Sequence, residues 1–349
     1  SRNVLYIARE PEILARELEL KPQEVLKRLE SGKRKLLEAR KKRKAPFADP
    51  TLYTNWNGMW IQAYFAAWRA FHEPFLKEFA LKTLDRFMET GFDPAKGMRH
   101  WIPPSPSPLP ASTRGGSAFG GQGREEKGEG GETGFLEDQV EILAAVVEAF
   151  EITGEKRYLD FSKTLSALLF EKYRAEAGGF YDTSRSVQEG HLKFRQKRLQ
   201  DSPAVSPNAT AGIALLKLYH LTQNEEYLKA VEEILQSFFE EAKALNYFAA
   251  GYINVLDFYL KGAVKAVVAG EKEKEPFREL HEMALFTYRP YLITSPLTEE
   301  LQSPLNDPSL NLLYQESKAI NRPVAMVCSG KSCKPLTDSP AEFWKQILE

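Results

Sequence analysis

The sequence predicts a mainly α fold of repeated helical hairpins in two concentric layers, followed by a small α/β appendage. Three observations carry this reading. Apolar residues recur at helical steps of three and four through most of residues 1–262. Helices that are apolar almost all round alternate with helices that carry a single stripe. Two hairpin joints repeat: EITGEKRYL and HLTQNEEYL set Thr153 against Thr222 and Tyr158 against Tyr227, a period of about 70 residues. A helix apolar on all sides needs neighbours all round, whereas a one-faced helix needs only one. Their alternation implies an inner ring of helices covered by an outer one, an order that a four-helix bundle does not require.

Taken in order, Pro11 to Lys44 reads as two charged amphipathic helices, and the run Arg40-Lys41-Lys42-Arg43-Lys44 as a solvated helix end. A helix is expected from Trp56 to His72, with Trp56, Trp60, Ala63, Tyr64, Ala67 and Phe71 as its apolar face. Its partner runs from Phe75 to Glu89 on Leu76, Phe79, Ala80, Leu84 and Phe87, and Gly91 is a stop signal. Pro103 to Thr133 is rich in Gly, Pro and Ser and buries too little apolar surface to offset its ordering entropy, so a flexible loop is expected there.

The next helix, Asp138 to Glu151, is apolar almost all round, and its follower carries Tyr158, Phe161, Leu165, Leu168 and Leu169 on one face. The pair repeats, with Ala209 to Tyr219 nearly continuous and Tyr227 to Phe239 striped. A fourth hairpin is expected to start near Tyr247. From residue 263 to 349 the character changes. KAVVAG, PYLIT and PVAMVC read as strands, with a helix from Phe277 to Tyr288 between the first two, giving a small α/β appendage packed on the helical body.

Composition excludes several classes of function. A formal net charge of −1 gives no global basic field, so neither nucleic acid nor a membrane surface is an expected partner. No apolar run reaches the ~18 residues of a membrane-spanning helix, and a cytoplasmic location is expected. Cys328 and Cys333 are the only cysteines; they suit a packed thiol pair or a disulfide, but not a sulfur-only zinc site. The five histidines lack metal-ligand spacing, so no metal or other cofactor is expected, and His191 alone is a candidate for catalysis.

In a ring of hairpins the inner-helix starts and the loops before them face one mouth, where ligands bind. That places Trp56, Asn57, Glu137, Asp138, Tyr181, Asp182, Arg195, Asp201 and Asn208 as site candidates. Aromatic faces cover the apolar side of a sugar ring, amides and carboxylates bond its hydroxyls, and paired carboxylates can act on a glycosidic bond. Asp138, Asn57 and Asn208 suit helix capping equally well. If capping were its whole role, Asp138→Asn would cost under about 1 kcal/mol.

The segments ARKKRKAPFADPTLYTNWNG, FLEDQVEILAAVVEAFEITG, GGFYDT, DSPAVSPNATAGIALLKL and AMVCSGKSCKPLTDSPAEF stand in the order seen in the spermatogenesis-associated-protein-like family of thioredoxin-domain proteins. The chain resembles that family over nearly its whole length. The resemblance implies a thioredoxin-like domain followed by an (α/α)6-type six-hairpin toroid, similar to those of sugar 2-epimerases and unsaturated glucuronyl hydrolases. This chain then carries an incomplete portion of the toroid without the thioredoxin-like domain. The family has no assigned reaction, so the likeness speaks to architecture more than to chemistry.

Where the family reads Asp-Asp-Lys ahead of Trp-Asn-Gly, this chain reads Asp49-Pro50-Thr51 and loses a carboxylate and a lysine. The family's Leu-Asp-Asp-Tyr becomes Leu136-Glu137-Asp138-Gln139, which keeps both charges. The expected function is therefore a carbohydrate-processing toroid related to epimerases or glycoside hydrolases. Its expected acids are Glu137, Asp138 and Asp201, with Trp56, Asn57, Tyr181, Asp182, Arg195 and Asn208 binding a sugar or glycoside. The alternative is a non-catalytic module that binds carbohydrate or protein beside an upstream thioredoxin-like domain. Either reading expects an upstream half or a partner chain to complete the ring.

Overall fold

In a computed structural model of the chain, the structure describes residues 6, 8–44, 51–103, 134–185, 194–301, 308–330 and 332–349. The expectations about Asp49, Pro50, His191 and all but the first residue of the 103–133 loop fall outside them. Two units are present. The first holds helices α1 (Pro11–Glu17) and α2 (Pro22–Lys41). Ion pairs one turn apart, such as Arg28–Glu24 at 2.6 Å, run along exposed faces of α2, and Arg40 and Lys41 sit in its last turn, where cations suit the helix dipole.

The second unit begins with strand β1 (Leu52–Tyr53) and the hairpin α3 (Thr54–Phe71) and α4 (Pro74–Thr90). Short strands β2 (Phe92–Asp93), β3 (Gly97–Met98) and β4 (Trp101–Ile102) come after it, with β4 pairing back onto β1. Two more hairpins come next, α5 (Leu136–Thr153) with α6 (Lys156–Tyr173) and α7 (Pro207–Thr222) with α8 (Glu225–Leu245), and then α9 (Ala250–Lys261). Helices α3, α5, α7 and α9 pack side by side as an inner row, and α4, α6 and α8 each back their own partner. Helix α5 is buried nearly all round, as its composition predicts.

The repeat read from the sequence is repeated geometry. Helices α3, α5 and α7 end at His72, Gly154 and Gln223, all left-handed with φ of 60°, 64° and 55°. Each of these residues donates its N–H to the carbonyl four residues back, at 2.7–2.8 Å. The Thr153 and Thr222 hydroxyls both donate to the carbonyl one turn earlier, at 2.8 and 2.7 Å.

Two expectations are corrected. On α3 the buried side is Ile61, Phe65 and Trp68, while Trp56, Trp60 and Phe71 of the expected face are 60%, 65% and 72% exposed. Periodicity cannot choose between two apolar sides of one helix, and here close approach decides. A Cβ on Gly58 would lie 2.8 Å from Glu141 Cβ, so only glycine lets α3 come this near α5. Gly212 does the same between α7 and α9, with Val255 Cγ1 at 2.8 Å. The expected fourth hairpin lacks its outer helix, because α9 runs directly into a strand.

That strand is β5 (Val264–Ala269), the centre of a sheet ordered β6-β5-β7-β8. Strand β6 (Leu292–Leu297) lies parallel to β5 and is reached through α10 (Glu275–Phe286). Helix α11 (Pro308–Ile320) leads to β7 (Val324–Ser329), which is antiparallel to β5 and turns into β8 (Ser332–Cys333); α12 (Pro340–Leu348) ends the chain. Successive residues of β5 point to opposite faces. Val264, Ala266 and Val268 pack with Phe277, Leu280 and Phe343 of α10 and α12, whereas Val267 and Ala269 join the main helical core. Strand β6 touches the inner helices α5 and α7. The expected thiol pair is a disulfide: the β7–β8 register sets Cys328 opposite Cys333, and the two sulfurs are bonded.

Candidate functional site

The starts of the inner helices are tied into one rim. Asp138, in the first turn of α5, is fully buried; its Oδ1 accepts from Asn55 N of α3 at 3.0 Å and its Oδ2 from Phe135 N at 2.8 Å. His100 Nδ1 lies 2.9 Å from the same Oδ2. Burial pushes the Asp138 carboxyl above its ordinary range, against the opposing pull of His100 and the two backbone donors. Leu136 N at the start of α5 donates to Asp182 O at 2.8 Å. Asn208, buried in α7, holds the Phe180 backbone through both N and O at 2.8 and 3.0 Å and reaches Arg198 O at 3.0 Å. Asp201 accepts from Ser206 N at 2.8 Å and from Gly251 N at 2.6 Å, linking the starts of α7 and α9.

The other residues selected from sequence lie around this rim. Asn57 donates to Tyr53 O at 2.7 Å, and Trp56 projects outward beside Tyr53 with ring centroids 5.0 Å apart. Arg195 clamps its loop by donating to Thr183 O and Lys172 O at 2.9 and 3.0 Å, with its guanidinium 4.1 Å from the Tyr181 ring centroid. Asp182 Oδ2 accepts from Arg198 at 2.8 Å, while its buried Oδ1 has no hydrogen-bond partner among the described residues. The capping duty expected of Asn208 at α7 belongs to Ser206, whose hydroxyl accepts from Ala209 N.

Inside the rim, along the inner row, lies a cleft of about 980 Å³. Helices α3, α5, α7 and α9 line it, together with the 203–205 segment and, at the far end, the turn leading into β6. None of the nine residues chosen from sequence lines it; the lining starts about one helical turn deeper. Its most distinctive residue is Glu141, four residues beyond Glu137 on α5 and only 5% exposed. Glu141 Oε2 accepts from the Gln62 amide at 2.8 Å and Oε1 from the Thr210 hydroxyl at 3.2 Å, both uncharged donors. Burial, aided by the charge of Glu137 and opposed by the two hydrogen bonds, pushes the carboxyl up to about 7.

The cations near this cleft are held differently. Lys217 bonds Glu151 at 2.7 Å, Lys261 bonds Asp257 at 2.9 Å, and Arg69 bonds Glu148 at 3.2 Å. Glu151 also accepts Thr294 N of β6 at 3.2 Å, and its backbone carbonyl meets buried His281 Nε2 at 2.8 Å, so the sheet helps to hold the end of the cleft. Among the described residues no group of three or more His, Cys, Asp or Glu side chains could hold a metal ion, and no helix is long and apolar enough to cross a membrane.

Sequence reasoning missed Glu141, Gln62 and Thr210. A signal was present: Glu141 is a lone carboxylate one turn inside an otherwise apolar run, VEILAAVV, and a charge in such a helix is buried by construction. His100 was passed over among scattered histidines because its partner Asp138 is distant in sequence.

The chain is a homologue of spermatogenesis-associated protein 20. It is 24% identical to the human protein over 99% of this chain and 42% of that protein, and 21% identical to the mouse protein over the same shares. An uncharacterised Caenorhabditis elegans protein is 20% identical over 100% of this chain and 44% of its own length. The chain thus spans less than half the length of the curated relatives it matches. No family model matches. Among solved structures, a family 76 alpha-mannanase of Bacteroides thetaiotaomicron covers 78% of this chain and 72% of its own, at 15% identity and a TM-score of 0.43. A cellobiose 2-epimerase of Bacillus thermoamylovorans covers 55% of this chain and 45% of its own, at 14% identity and a TM-score of 0.39.

Proposed function

We propose that this chain, as a homologue of spermatogenesis-associated protein 20, binds a saccharide in the inner cleft and performs acid–base chemistry on it with Glu141 as the protonated acid. One observation carries the reading. Glu141 is a buried carboxyl facing a roomy cleft, bonded by two uncharged groups and pushed up to about 7. At neutral pH it can give a proton to a glycosidic or ring oxygen and take one back. Glu137, one turn nearer the rim, less buried and outside the cleft lining, is a second carboxylate on α5, and its charge reaches both Glu141 and Asp182. Two carboxyl groups in unlike environments are the usual equipment for splitting a glycosidic bond. Of the three acids chosen from sequence, Glu137 keeps a part in the chemistry, while Asp138 and Asp201 take the supporting role of fixing the rim above Glu141.

The neighbourhood suits a hydroxyl-rich ligand. Lys217, Lys261 and Arg69 are each neutralised by an acid of the protein, Arg289 at the far end of the lining bonds a backbone carbonyl, and the Gln62 amide and Thr210 hydroxyl offer hydrogen bonds of the kind hydroxyls use. The exposed aromatic side of α3, with Trp56, Trp60 and Phe71, is where a further helical element of a longer protein or a partner chain would complete the ring. A cytoplasmic location goes with this reading.

The test is to incubate the chain with a panel of neutral oligosaccharides and follow products by chromatography and proton NMR. Turnover by the wild type, with loss in Glu141→Gln and retained binding, is the expected result. Turnover equal in both proteins would remove Glu141 from the chemistry. Binding without turnover in either would assign the chain to non-catalytic recognition.

A further inference from the structure

The end of the cleft away from the rim is formed by the turn between α10 and β6, Tyr288-Arg289-Pro290-Tyr291, contributed by the sheet rather than by the helical hairpins. The turn is closed by Leu292 N donating to Arg289 O at 3.2 Å, and it is tied to the sheet by Val264 N donating to Tyr291 O at 3.1 Å. Pro290 restricts the backbone at the second position of the Arg289–Leu292 turn that the first of these bonds closes. Tyr291 takes a left-handed conformation, φ 56°, which a large side chain rarely adopts. It is held there from the helical side: its hydroxyl donates to Asp257 at 2.5 Å, and its ring stacks on Phe258 with centroids 4.6 Å apart and planes within 7°. Both partners belong to α9, so the Tyr291 end of the turn is fastened to the helical body as well as to the sheet.

Fastened in this way, the turn presents Tyr288. This residue borders the cleft, yet it is 89% exposed, the most exposed large hydrophobic side chain of the described residues. A ring that borders a cleft without packing contributes little to folding, whereas its open face suits the apolar face of a sugar ring. Arg289, beside it in the cleft lining, donates to Ile347 O and carries further N–H groups that hydroxyls can accept.

We infer that the 288–291 turn is the recognition lip of the cleft, with Tyr288 as the stacking platform for a saccharide unit at the end of the cleft away from Glu141. The inference rests on the saccharide reading of the cleft and assigns to the sheet a task that the hairpins do not perform. Because Tyr291 fixes the backbone of the turn before ligand arrives, binding has only the Tyr288 side chain left to order there.

The experiment is calorimetric titration of the full chain with a neutral oligosaccharide, using wild type, Tyr288→Ala and Tyr288→Trp, with thermal unfolding of each as a fold control. Tyr288→Ala is expected to keep its melting temperature and to bind about tenfold more weakly, the size of one good aromatic contact. Tyr288→Trp is expected to restore affinity. If Tyr288→Ala binds as tightly as wild type, the lip is refuted while the cleft reading stands. If wild type binds no saccharide of the panel, both are refuted together.

Discussion

Replacing Glu141 by Gln tests the electrostatics of the cleft without needing a substrate. Glu141 is 5% exposed, and its carboxyl is pushed from an ordinary 4.5 up to about 7. Between those two values the folded chain holds a proton that the unfolded chain has released. Stability therefore falls as pH rises through this window, and the whole cost is present above about 7. At ~1.4 kcal/mol per pH unit the cost comes to about 3 kcal/mol. Glutamine keeps the shape, still accepts from Gln62 and can meet the Thr210 hydroxyl, but it has no charge to bury. Urea unfolding at pH 5 and pH 8 should show Glu141→Gln nearly level with wild type at pH 5. At pH 8 the variant should be more stable by about 2–3 kcal/mol. Other titrating groups cancel in the difference between the two proteins. A difference that is the same at both pH values would refute the claim that Glu141 is protonated in the fold near neutrality.

Three further outcomes are expected. Gly58→Ala should destabilise by about 1–3 kcal/mol in thermal unfolding, because its Cβ would meet Glu141 Cβ at 2.8 Å and backbone carbon at 2.9 Å; the gain in helix propensity, about 1 kcal/mol, offsets only part of this. No loss would mean that α3 and α5 are not so close. Asp138→Asn should cost about 2 kcal/mol or more in chemical denaturation at pH 7, above the figure for simple capping, since both oxygens of this fully buried group accept backbone N–H bonds and an amide NH2 must face one of them; a cost below about 0.5 kcal/mol would contradict that geometry. The 349-residue chain should bind an apolar-surface dye through the open side of α3, and Trp60→Lys, at a residue 65% exposed, should reduce the signal while shifting stability by less than about 0.5 kcal/mol. Unchanged dye binding would place the open apolar surface elsewhere.

The hairpin body was legible because its signals are local and redundant. All-round-apolar α5, striped α6 and the matched joints at Thr153 and Thr222 each state one level of the same repeat. The three main strands were legible as short apolar runs between turns. The buried side of α3 was not, because aromatic residues occur on both sides and the choice depends on a glycine contact with a helix some eighty residues away in sequence. The missing outer partner of α9 was hidden because an apolar run such as VLDFYL does not reveal whether a helix or a strand comes next.

For the site, polar residues at helix starts attracted notice as ligand-binding types. Asp138, Asp201 and Asn208 use those same hydrogen-bonding groups to tie the starts together. The cleft itself is defined by which faces of four helices converge, together with a turn from the sheet, and that is tertiary information. Glu141 alone carried a local trace, as a charge inside an apolar helix.

The central claim, a protonated Glu141 inside a saccharide-binding cleft, is tested most directly by carbon-13 NMR of glutamate carboxyls. The Glu141 resonance would be assigned with Glu141→Gln and titrated with and without a neutral oligosaccharide. The account predicts a midpoint of about 7 in the free chain and a displaced resonance or midpoint once the sugar is bound. A midpoint at the ordinary 4.5, unmoved by any sugar of the panel, would contradict it.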